Sequence, residues 1–524
     1  MQTTELIAPE QYNISEEVDR HQDSTTLAVR WRDQAGNRRD VTYKELTERT
    51  NQFARAMQSL GLRKGDKVLV LLPRIPEAYM TYLGCLRAGI VAVPCSDMLR
   101  KKDLQYRVEH SGAKAVIAYH ESTGEVNSME TEEKLHKLIV GGEESGWERL
   151  ESLAEQESAE ALKLETTRDD MAFLSYTSGT TGNPKGVVHT HGWGYAHVRT
   201  AAREWLGVRE GDVVWATAAP GWQKWIWSPF LSTITLGATA YVYHGPFDAE
   251  TYLQMMEDEK INVLCCTPTE YRIMAKLDKL GSYDLSAMKS AVSAGEPLNR
   301  PVIDAFREAF RIEVRDGYGQ TENTLLVCNV QGMEVKPGSM GRPTPGNQVD
   351  LVDESGSPAP AGEVGDIAVH KDCPALFREY YLDPERTQAA FRGDWYITGD
   401  QAVKDEDGYF WFKGRSDDII ISSGYTIGPF EVEDALLKHP AVRECAVVAS
   451  PDETRGHVVK AFIVLREKAD KPEDELIQEL QDHTKQMTAP YKYPRRIEFM
   501  DELPKTTSGK IRRIELRLQE LGES

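Results

Sequence analysis

The sequence contains few cysteines, and their spacing supports neither a disulfide framework nor a zinc site. The chain has 524 residues and seven cysteines, an odd number that are scattered, mostly within apolar runs, and form no Cys-x-x-Cys pair. They are Cys85, Cys95, Cys265, Cys266, Cys328, Cys373 and Cys445. We therefore predict that all of them are reduced core residues.

Long apolar runs are also missing. The longest near the start, Val68–Leu72, is too short to cross a bilayer and is followed by Pro73. Residues 1–8 contain no basic segment followed by an apolar core, so no signal peptide is indicated. We expect a cytoplasmic protein with no membrane span.

Positive charge is scarce. The chain has 83 acidic and 62 basic residues, a net charge of −21, which argues against a general affinity for nucleic acid or anionic membranes. Its apolar content of 40% and charged content of 28% are typical of a globular protein. The length exceeds what one core usually holds, so we expect two or more domains.

The chain has no Walker motif, but it has another loop suited to phosphate. Met171–Tyr176 is typical of a buried strand, and the loop after it closes at Lys185. Glycines let backbone N–H groups turn towards an anion, hydroxyls add donors, and the lysine adds positive charge. The loop residues are Thr177, Ser178, Gly179, Thr180, Thr181, Gly182 and Lys185. The spacing fails the Walker pattern, so this is a phosphate loop of another kind, with a flexible surface turn as the alternative.

The first 170 residues alternate helix and strand. Thr42 and Glu45 form a capping box at the start of a helical pattern, and Val68–Leu72 and Ala115–Ala118 are typical strands. This βα alternation favours a mostly parallel sheet covered by helices. The acidic, weakly patterned stretch from Glu121 to Glu165 is interpreted as a solvated excursion.

Two clusters each leave two interpretations open. His189 and His191 have no carboxylate or cysteine at metal-ligand spacing, which favours a structural or pocket-lining role over a metal site. Trp222, Trp225 and Trp227 lie within six residues, either as core packing or as the wall of an apolar substrate pocket.

Two further segments run from a strand into a loop with glycine and an acid, Ser290–Pro297 and Val314–Glu322. Ligands in α/β sheets collect at the carboxyl ends of strands, so we expect these loops and the phosphate loop to meet at one crevice. There Tyr318 would stack on a base and Glu322 would hold Mg²⁺, the alternative being a solvated loop glutamate.

Five motifs stand in an order that resembles the adenylate-forming acyl-CoA synthetases, a superfamily that includes luciferases and nonribosomal-peptide adenylation domains. They are Thr177–Lys185, Tyr318–Glu322, Thr398–Asp400, Lys413–Asp418 and Pro504–Lys510. The resemblance extends from about residue 40 to the end. Gly424–Glu433 and Ala489–Pro494 are most similar to the medium-chain acyl-CoA synthetases.

The resemblance implies a two-domain α/β fold. Residues 1–414 would form a large N-terminal domain of helix-covered β-sheets that binds ATP and the acyl group. Residues 415–524 would form a smaller, mobile C-terminal α+β domain that turns about Asp417 and carries Lys510.

It also implies a reaction in two halves. A carboxylate attacks the α-phosphate of Mg-ATP to give an acyl-adenylate and pyrophosphate, and the thiol of coenzyme A then displaces AMP. All reactants are anionic, so the site must neutralise charge and align the groups. The implied partners are a small carboxylic acid, ATP and coenzyme A.

Site residues follow from the motifs. Lys185 and the phosphate loop would hold the β- and γ-phosphates, Glu322 would bind Mg²⁺, and Lys510 would reach the α-phosphate during adenylation. The other expected ATP-binding residues are Gly295, Glu296, Pro297, Asp316, Gly317, Tyr318, Gly319, Gln320, Thr321, Asp400 and Arg415, of which Asp400 would accept hydrogen bonds from the ribose. The expected coenzyme A residues are Ser423, Gly424, Tyr425, Arg455, Tyr491, Lys492 and Tyr493.

The resemblance bears on substrate size as well. Acetyl-CoA synthetases have tryptophan at the position of Gly319, so glycine here predicts a longer acyl pocket bounded by Trp222, most suited to a medium-chain fatty acid. Aryl or branched acids, a carrier-protein substrate and a non-catalytic nucleotide-binding role are the alternatives. Thr426 replaces an arginine common in medium-chain relatives, which puts phosphate affinity in doubt.

Overall fold

The computed structural model describes residues 1–131, 134–177, 184–295, 298, 300–415, 418–422, 425–452, 456–467, 472–488, 490–505 and 510–521. For residues 421, 425, 426, 456, 490 and 521, only the backbone is described. The chain divides into two compact units, one of residues 1–349 and 369–394 and the other of residues 350–368 and 395–524.

Two large β-sheets form the first unit. The eight-stranded sheet has, in spatial order, Glu379–Tyr380, Lys185–Thr190, Met171–Thr177, Val91–Pro94, Lys67–Leu71, Ala115–Tyr119, His136–Val140 and Glu148–Arg149. The nine-stranded sheet has Arg342–Pro343, Leu325–Cys328, Val314–Gly319, Ser290–Ala294, Val263–Cys266, Val213–Ala216, Thr239–His244, Leu27–Asp33 and Arg38–Thr42. The central strands of both sheets run parallel, as the βα alternation predicts, whereas Lys185–Thr190 and Leu325–Cys328 are antiparallel to their neighbours.

Helices lie between the two sheets and on their outer faces. The α-helices of this unit are Glu16–Asp19, Tyr43–Ser59, Pro76–Arg87, Lys101–Ser111, Thr123–Asn127, Leu150–Ala154, His191–His197, Gln223–Trp225, Ser232–Ile234, Ala249–Asp258, Pro268–Met274, Arg300–Phe310 and Pro384–Ala389. Val198–Leu206 and Ile226–Leu231 are π-helical, Thr3–Leu6, His120–Ser122 and Leu280–Ser282 are 3₁₀ turns, and Phe391–Arg392 is a short strand.

Side-chain alternation along the strands divides the core of this unit into layers. Val68 and Val70 face the helices between the sheets, whereas Leu69 and Leu71 pack under the helix Lys101–Ser111. On the far side, Trp215 and Leu264 pack against outer helices of the other sheet. Because both faces of each sheet are covered, the strands of the two sheets are nearly continuous runs of apolar residues.

The second unit is smaller and mixes sheets with helices. Its strands are Val349–Val352, Val364–His370, Trp395–Lys404 and Phe410–Arg415 in one sheet, the hairpin Ile420–Ser422 and Tyr425–Ile427, and the three-stranded sheet Val442–Asp452, Gly456–Leu465 and Arg496–Phe499. Its helices are Pro429–Leu437, Glu473–Met487, Arg513–Leu521 and the 3₁₀ turn Pro490–Lys492. This confirms the predicted fold class, a large part with helix-covered sheets and a smaller α+β part, while the predicted boundary at residue 414 stays a prediction.

Most predicted elements are present with small shifts at their ends. The Thr42 side chain accepts the N–H of Glu45 at the start of Tyr43–Ser59, as the capping pattern predicts. The stretch from Glu121 to Glu165 is the exception, because it contributes the edge strands His136–Val140 and Glu148–Arg149 and the helix Leu150–Ala154. Interpreting it as a solvated excursion was therefore wrong.

All seven cysteines are buried and free, as predicted. Within the described ranges, no helix combines the length and apolarity needed to cross a membrane.

Candidate functional site

The predicted phosphate loop joins two paired strands. Met171–Thr177 and Lys185–Thr190 are antiparallel, with Thr177 opposite Lys185. This pairing holds Thr177 and Lys185, which lie on either side of the loop, next to each other. Ser178, Gly179, Thr180, Thr181 and Gly182 lie outside the described residues.

Two other predicted loops leave neighbouring strands of the nine-stranded sheet. Ser290–Ala294 and Val314–Gly319 are parallel, with Ala294 opposite Gly317. Gly295 follows with a backbone φ of +108°, which favours glycine. Glu296 and Pro297, expected beside it, lie outside the described residues.

Asp316 is a buried carboxyl in this group. Its two oxygens accept the N–H groups of Leu298 and Gly317, at 3.3 and 2.9 Å. Burial dominates over these hydrogen bonds and raises the pKa of Asp316 to about 7. Asp316 thus differs from an ordinary surface aspartate, which is ionised well below neutral pH.

Glu322 lies in a buried position rather than on a solvated loop. Its Oε1 accepts the hydroxyl of Tyr380 at 2.9 Å, and its backbone oxygen accepts the N–H of Phe377 at 2.7 Å. The residue is only 9% exposed. Because Tyr380 is in the strand next to Lys185–Thr190, these contacts hold Glu322 near the strand that begins at Lys185.

The two histidines have structural roles. Nε2 of His189 lies 2.6 Å from the backbone oxygen of Thr321, the residue before Glu322. Nδ1 of His191 accepts the N–H of Ile14 at 3.2 Å. Burial lowers the pKa of His189 to about 3 and that of His191 to about 4, so both are neutral at pH 7. The structural or pocket-lining interpretation therefore holds.

The three tryptophans of the cluster differ in burial. Trp225 is 2% exposed and stacks on Phe230 with ring centroids 4.9 Å apart. Trp222 is partly exposed. Trp227 approaches Gly319, since a Cβ built on this glycine would lie 3.1 Å from the Trp227 ring and 2.1 Å from the backbone oxygen of Thr324. Glycine is thus required at position 319 by the close approach of the Thr324 backbone and the Trp227 ring.

Lys224 also reaches this region, although the sequence analysis did not select it. Its Nζ donates to the backbone oxygen of Ala294 at 2.6 Å, at the end of the strand that leads to Gly295. The sequence feature that could have indicated Lys224 is its position as a single cation within the aromatic stretch from Trp222 to Trp227. Tyr380 had no comparable signal, because its contact with Glu322 spans 58 positions of sequence.

The predicted ribose-binding residues lie in the second unit. Asp400 and Arg415 are opposite each other on the antiparallel strands Trp395–Lys404 and Phe410–Arg415. Asp400 is 6% exposed, and its backbone N–H donates to Oγ1 of Thr398 at 3.2 Å. The structure therefore brings together the pair expected at the ribose.

The expected coenzyme A residues are only partly described. Tyr491 is 38% exposed, the ammonium of Lys492 pairs with Glu431, and the hydroxyl of Tyr493 accepts from Arg495 at 2.6 Å. Tyr425 is described by its backbone alone, in a strand pair with Ser422. Ser423, Gly424, Arg455 and the expected hinge residue Asp417 lie outside the described residues.

Lys510 is an exposed residue just before the helix Arg513–Leu521. It lies between Lys505 and Ile511, which form an isolated bridge.

The donor chemistry of this region fits Mg²⁺ bound together with ATP. Mg²⁺ prefers oxygen ligands and is usually bound by one or two carboxylates plus substrate phosphates. Glu322 supplies one buried carboxylate held in place by Tyr380. Among the described residues, no three His, Cys, Asp or Glu side chains are grouped as a metal site.

Comparisons with known proteins give a consistent assignment. Residues 14–381 match the AMP-binding enzyme family, and residues 431–510 match the AMP-binding enzyme C-terminal domain. The chain is 58% identical over 517 residues to an uncharacterized acyl-CoA ligase, YtcI, of Bacillus subtilis (strain 168), covering 98% of this chain and 97% of that protein. It is 42% identical over 499 residues to the mitochondrial acyl-coenzyme A synthetase ACSM3 of Mus musculus, covering 94% and 86%.

Solved structures agree with these sequence relatives. The anthranilate CoA ligase AuaEII in complex with anthranoyl-AMP is similar with a TM-score of 0.90 and 30% identity, covering 99% of each chain. The benzoate CoA ligase from Burkholderia xenovorans LB400 is similar with a TM-score of 0.85 and 32% identity, covering 97% of this chain and 100% of that one.

Proposed function

Since this chain belongs to the AMP-binding enzyme family and is an acid–thiol ligase of the acyl-CoA synthetase type, we propose that it activates medium-chain fatty acids with Mg-ATP and transfers them to coenzyme A. The observation that best supports this chemistry is the position of Glu322, a buried carboxylate held near the strand that begins at Lys185. We place the reaction in the cytoplasm.

The first half-reaction exchanges one bond at the α-phosphate for another. A carboxylate oxygen of the fatty acid forms a bond to this phosphorus, the bond to the β-phosphate bridging oxygen breaks, and pyrophosphate leaves. In the second half-reaction the thiol sulfur of coenzyme A bonds to the acyl carbon. AMP leaves, and the thiol proton is released.

Charge neutralisation is the main task of the protein in the first half-reaction. The phosphate loop and Lys185 would bind the β- and γ-phosphates, and Glu322 would hold Mg²⁺, which supplies positive charge to the phosphates when bound. Lys510 would add its charge at the α-phosphate, where negative charge develops in the transition state.

The nucleoside is assigned to two groups of residues. Gly295, Glu296 and Pro297, with Asp316 to Tyr318, would line the adenine site, where Tyr318 offers a ring for stacking. Asp400 would accept hydrogen bonds from the ribose hydroxyls, with Arg415 in support.

The second half-reaction is assigned to the C-terminal domain, residues 415–524. A turn about Asp417 would withdraw Lys510 and present coenzyme A to the adenylate. Ser423, Gly424 and Tyr425 would line the pantetheine path, and Arg455 and Tyr491 to Tyr493 would contact coenzyme A. One site would thereby serve two reactions.

The medium-chain preference rests on the acyl pocket. Gly319 stands where the acetyl-CoA synthetases have the tryptophan that shortens their acyl pocket, and Trp222 would bound the far end. Each buried methylene adds roughly 0.8 kcal/mol of binding free energy. The 42% identity to an acyl-coenzyme A synthetase of the ACSM type supports the same substrate class.

Aryl acids are the second candidate. The structures of an anthranilate and a benzoate CoA ligase are similar to this chain over almost its whole length. Aromatic rings such as Trp222 and Trp227 suit a flat aryl group as well as an alkyl chain.

The experiment that separates the candidates is AMP release from Mg-ATP and coenzyme A across a panel of acids. The panel runs from acetate to laurate and includes isobutyrate and benzoate. We expect kcat/KM to peak at mid-length acids. A maximum at benzoate would assign an aryl-CoA ligase, and adenylate formation without transfer to free coenzyme A would indicate a carrier-protein substrate.

Substitution at Gly319 is a poor test of the pocket. Any side chain there meets the backbone oxygen of Thr324, so loss of activity would report a displaced backbone rather than a filled pocket. The acid panel on the unmodified enzyme avoids this ambiguity.

A further inference from the structure

Tyr380 touches two groups that the proposed reaction needs. Its hydroxyl donates to Oε1 of Glu322 at 2.9 Å, and the Nζ of Lys185 lies 4.8 Å from the centroid of its ring. A cation over the face of a tyrosine ring is attracted by the ring quadrupole. One side chain therefore contacts the carboxylate at one end and the ammonium on its face.

The position of Tyr380 is fixed by its surroundings. It is 4% exposed and lies in the two-residue strand Glu379–Tyr380, opposite Val187 of the strand that begins at Lys185. Its N–H donates to Oγ1 of Thr387 at 3.0 Å. The ring of Phe377 lies 4.8 Å from that of Tyr380, between centroids.

The neighbouring backbone ties the same strand to both groups. The N–H of Tyr381 donates to the oxygen of Gly186 at 2.7 Å, one residue after Lys185. The N–H of Phe377 donates to the oxygen of Glu322, also at 2.7 Å. The segment from Phe377 to Tyr381 is thus a short bridge between the Lys185 strand and the Glu322 loop.

Lys185 and Tyr380 also face a common cavity of about 250 Å³, which Tyr106, His110 and Arg386 help to line. Lys185 therefore lines this cavity while its ammonium lies over the ring of Tyr380.

We propose that Tyr380 is a positioning residue for adenylation: its hydroxyl orients the Glu322 carboxylate towards Mg²⁺, and its ring positions the Lys185 ammonium towards the phosphates. This inference rests on the proposed function. A carboxylate whose Oε1 is occupied by one donor retains acceptor capacity for a cation. Holding it in one orientation before the metal binds removes an ordering cost.

Two substitutions separate the two contacts. Tyr380→Phe removes only the hydroxyl, whereas Tyr380→Leu removes the ring as well. Tyr381→Phe is the matched control, because it removes a hydroxyl from the adjacent residue, whose ring lies near Lys67 instead. Melting temperatures identify any variant whose fold is disturbed.

The first readout is the affinity of the enzyme for Mn²⁺, which serves as a probe for Mg²⁺. It is measured by electron paramagnetic resonance in the presence of α,β-methylene-ATP. We expect Tyr380→Phe to weaken Mn²⁺ binding about tenfold, the range of one hydrogen bond to a charged group. Tyr381→Phe should leave it unchanged. Equal Mn²⁺ affinities in all three proteins would overturn the proposal.

A second readout is acid-dependent exchange of pyrophosphate with ATP. Tyr380→Phe should raise the Mg²⁺ concentration needed for half-maximal exchange while leaving the KM for ATP nearly unchanged at saturating Mg²⁺. Tyr380→Leu should raise the KM for ATP as well, because Lys185 loses its ring contact. An identical change in both parameters for the two variants would contradict the division of roles.

A double-mutant cycle guards against a purely structural effect. In a Glu322→Gln background, Tyr380→Phe should change Mn²⁺ affinity less than about twofold, because the contact has already been altered. An undiminished effect would show that Tyr380 does not act through Glu322. If the unmodified enzyme releases no AMP with any acid, the proposed function fails, whereas the Mn²⁺ measurements still decide the role of Tyr380.

Discussion

At the scale of single residues, the site depends on charged groups removed from water. Glu322 is buried and accepts a hydrogen bond from a tyrosine hydroxyl. Asp316 is buried and accepts hydrogen bonds from two backbone N–H groups. Such burial is typical of groups whose protonation or orientation matters, although structural carboxyls share it. The sequence predicted both residues as ligand contacts from their motifs. It gave no indication of Tyr380, because a partner 58 positions away leaves no local pattern.

The raised pKa of Asp316 predicts a pH-dependent stability. The folded protein keeps this proton up to about pH 7, whereas the group normally releases it near 3.8. A raised acid pKa contributes stability that is full below about pH 4 and is lost as the pH rises through about 7. Stability therefore falls as the pH rises from about 4 to about 7.

Asp316→Asn tests this sign. At pH 5 the variant should melt below the wild type, since its amide nitrogen cannot accept the N–H that one carboxyl oxygen accepts. By pH 8 the difference should shrink or reverse, because only the wild type carries a buried charge. Melting temperatures at pH 5, 6.5 and 8 measure the difference between the variant and the wild type. Asp372→Asn is the control, because Asp372 is exposed. A gap that does not change with pH would contradict the raised pKa.

At the scale of elements, one buried carboxylate joins three parts of the second unit. Glu433 on the helix Pro429–Leu437 accepts from both Nε and Nη2 of Arg513 at the start of the helix Arg513–Leu521. Its Oε1 also accepts the N–H of Val447 in the strand Val442–Asp452, at 2.8 Å. Two helices and a strand are thus held at one point.

Arg513→Ala should therefore destabilise this unit strongly. Glu433 is 5% exposed, so removing its partner leaves a buried charge with one backbone donor. We expect a loss of about 3 kcal/mol, the scale for breaking a buried pair. Arg512→Ala is the control, because its partner Glu515 is exposed and such surface pairs contribute about 0–1 kcal/mol. Faster hydrogen exchange in Val442–Asp452 for Arg513→Ala alone would confirm the prediction, and equal exchange in both variants would refute it.

Elements with strong patterns could be predicted, and those whose position depends on tertiary contacts could not. The strand after residue 170 follows from its apolar run, and the helix Tyr43–Ser59 follows from its capping pattern and helical spacing. His136–Val140 was missed because its three buried residues, Leu138 to Val140, lie within an acidic stretch that resembles a surface excursion. Only pairing with Ala115–Tyr119 makes it a strand of the sheet.

At the scale of the whole molecule, the predicted catalytic and ATP-binding groups are divided between the two units. Lys185 and Glu322 belong to the first, and Asp400, Arg415 and Lys510 belong to the second. In the proposed reaction, Lys510 would act in the first half and would be withdrawn in the second. The order of the motifs along the chain supports this assignment of residues to the two half-reactions. The sequence does not give the spatial distances between groups that lie so far apart along the chain.

The most direct test is therefore to measure the two half-reactions separately in Lys510→Ala. Lys505→Ala is the matched control, a lysine of the same segment whose Nζ pairs with Glu444 at 2.8 Å. We expect Lys510→Ala to lose acid-dependent pyrophosphate exchange by at least about a hundredfold, the scale of losing one transition-state donor. Thioester formation from a supplied acyl-adenylate should stay near the level of Lys505→Ala. Normal exchange in Lys510→Ala, or equal loss of both half-reactions, would contradict the proposed use of one site for two reactions.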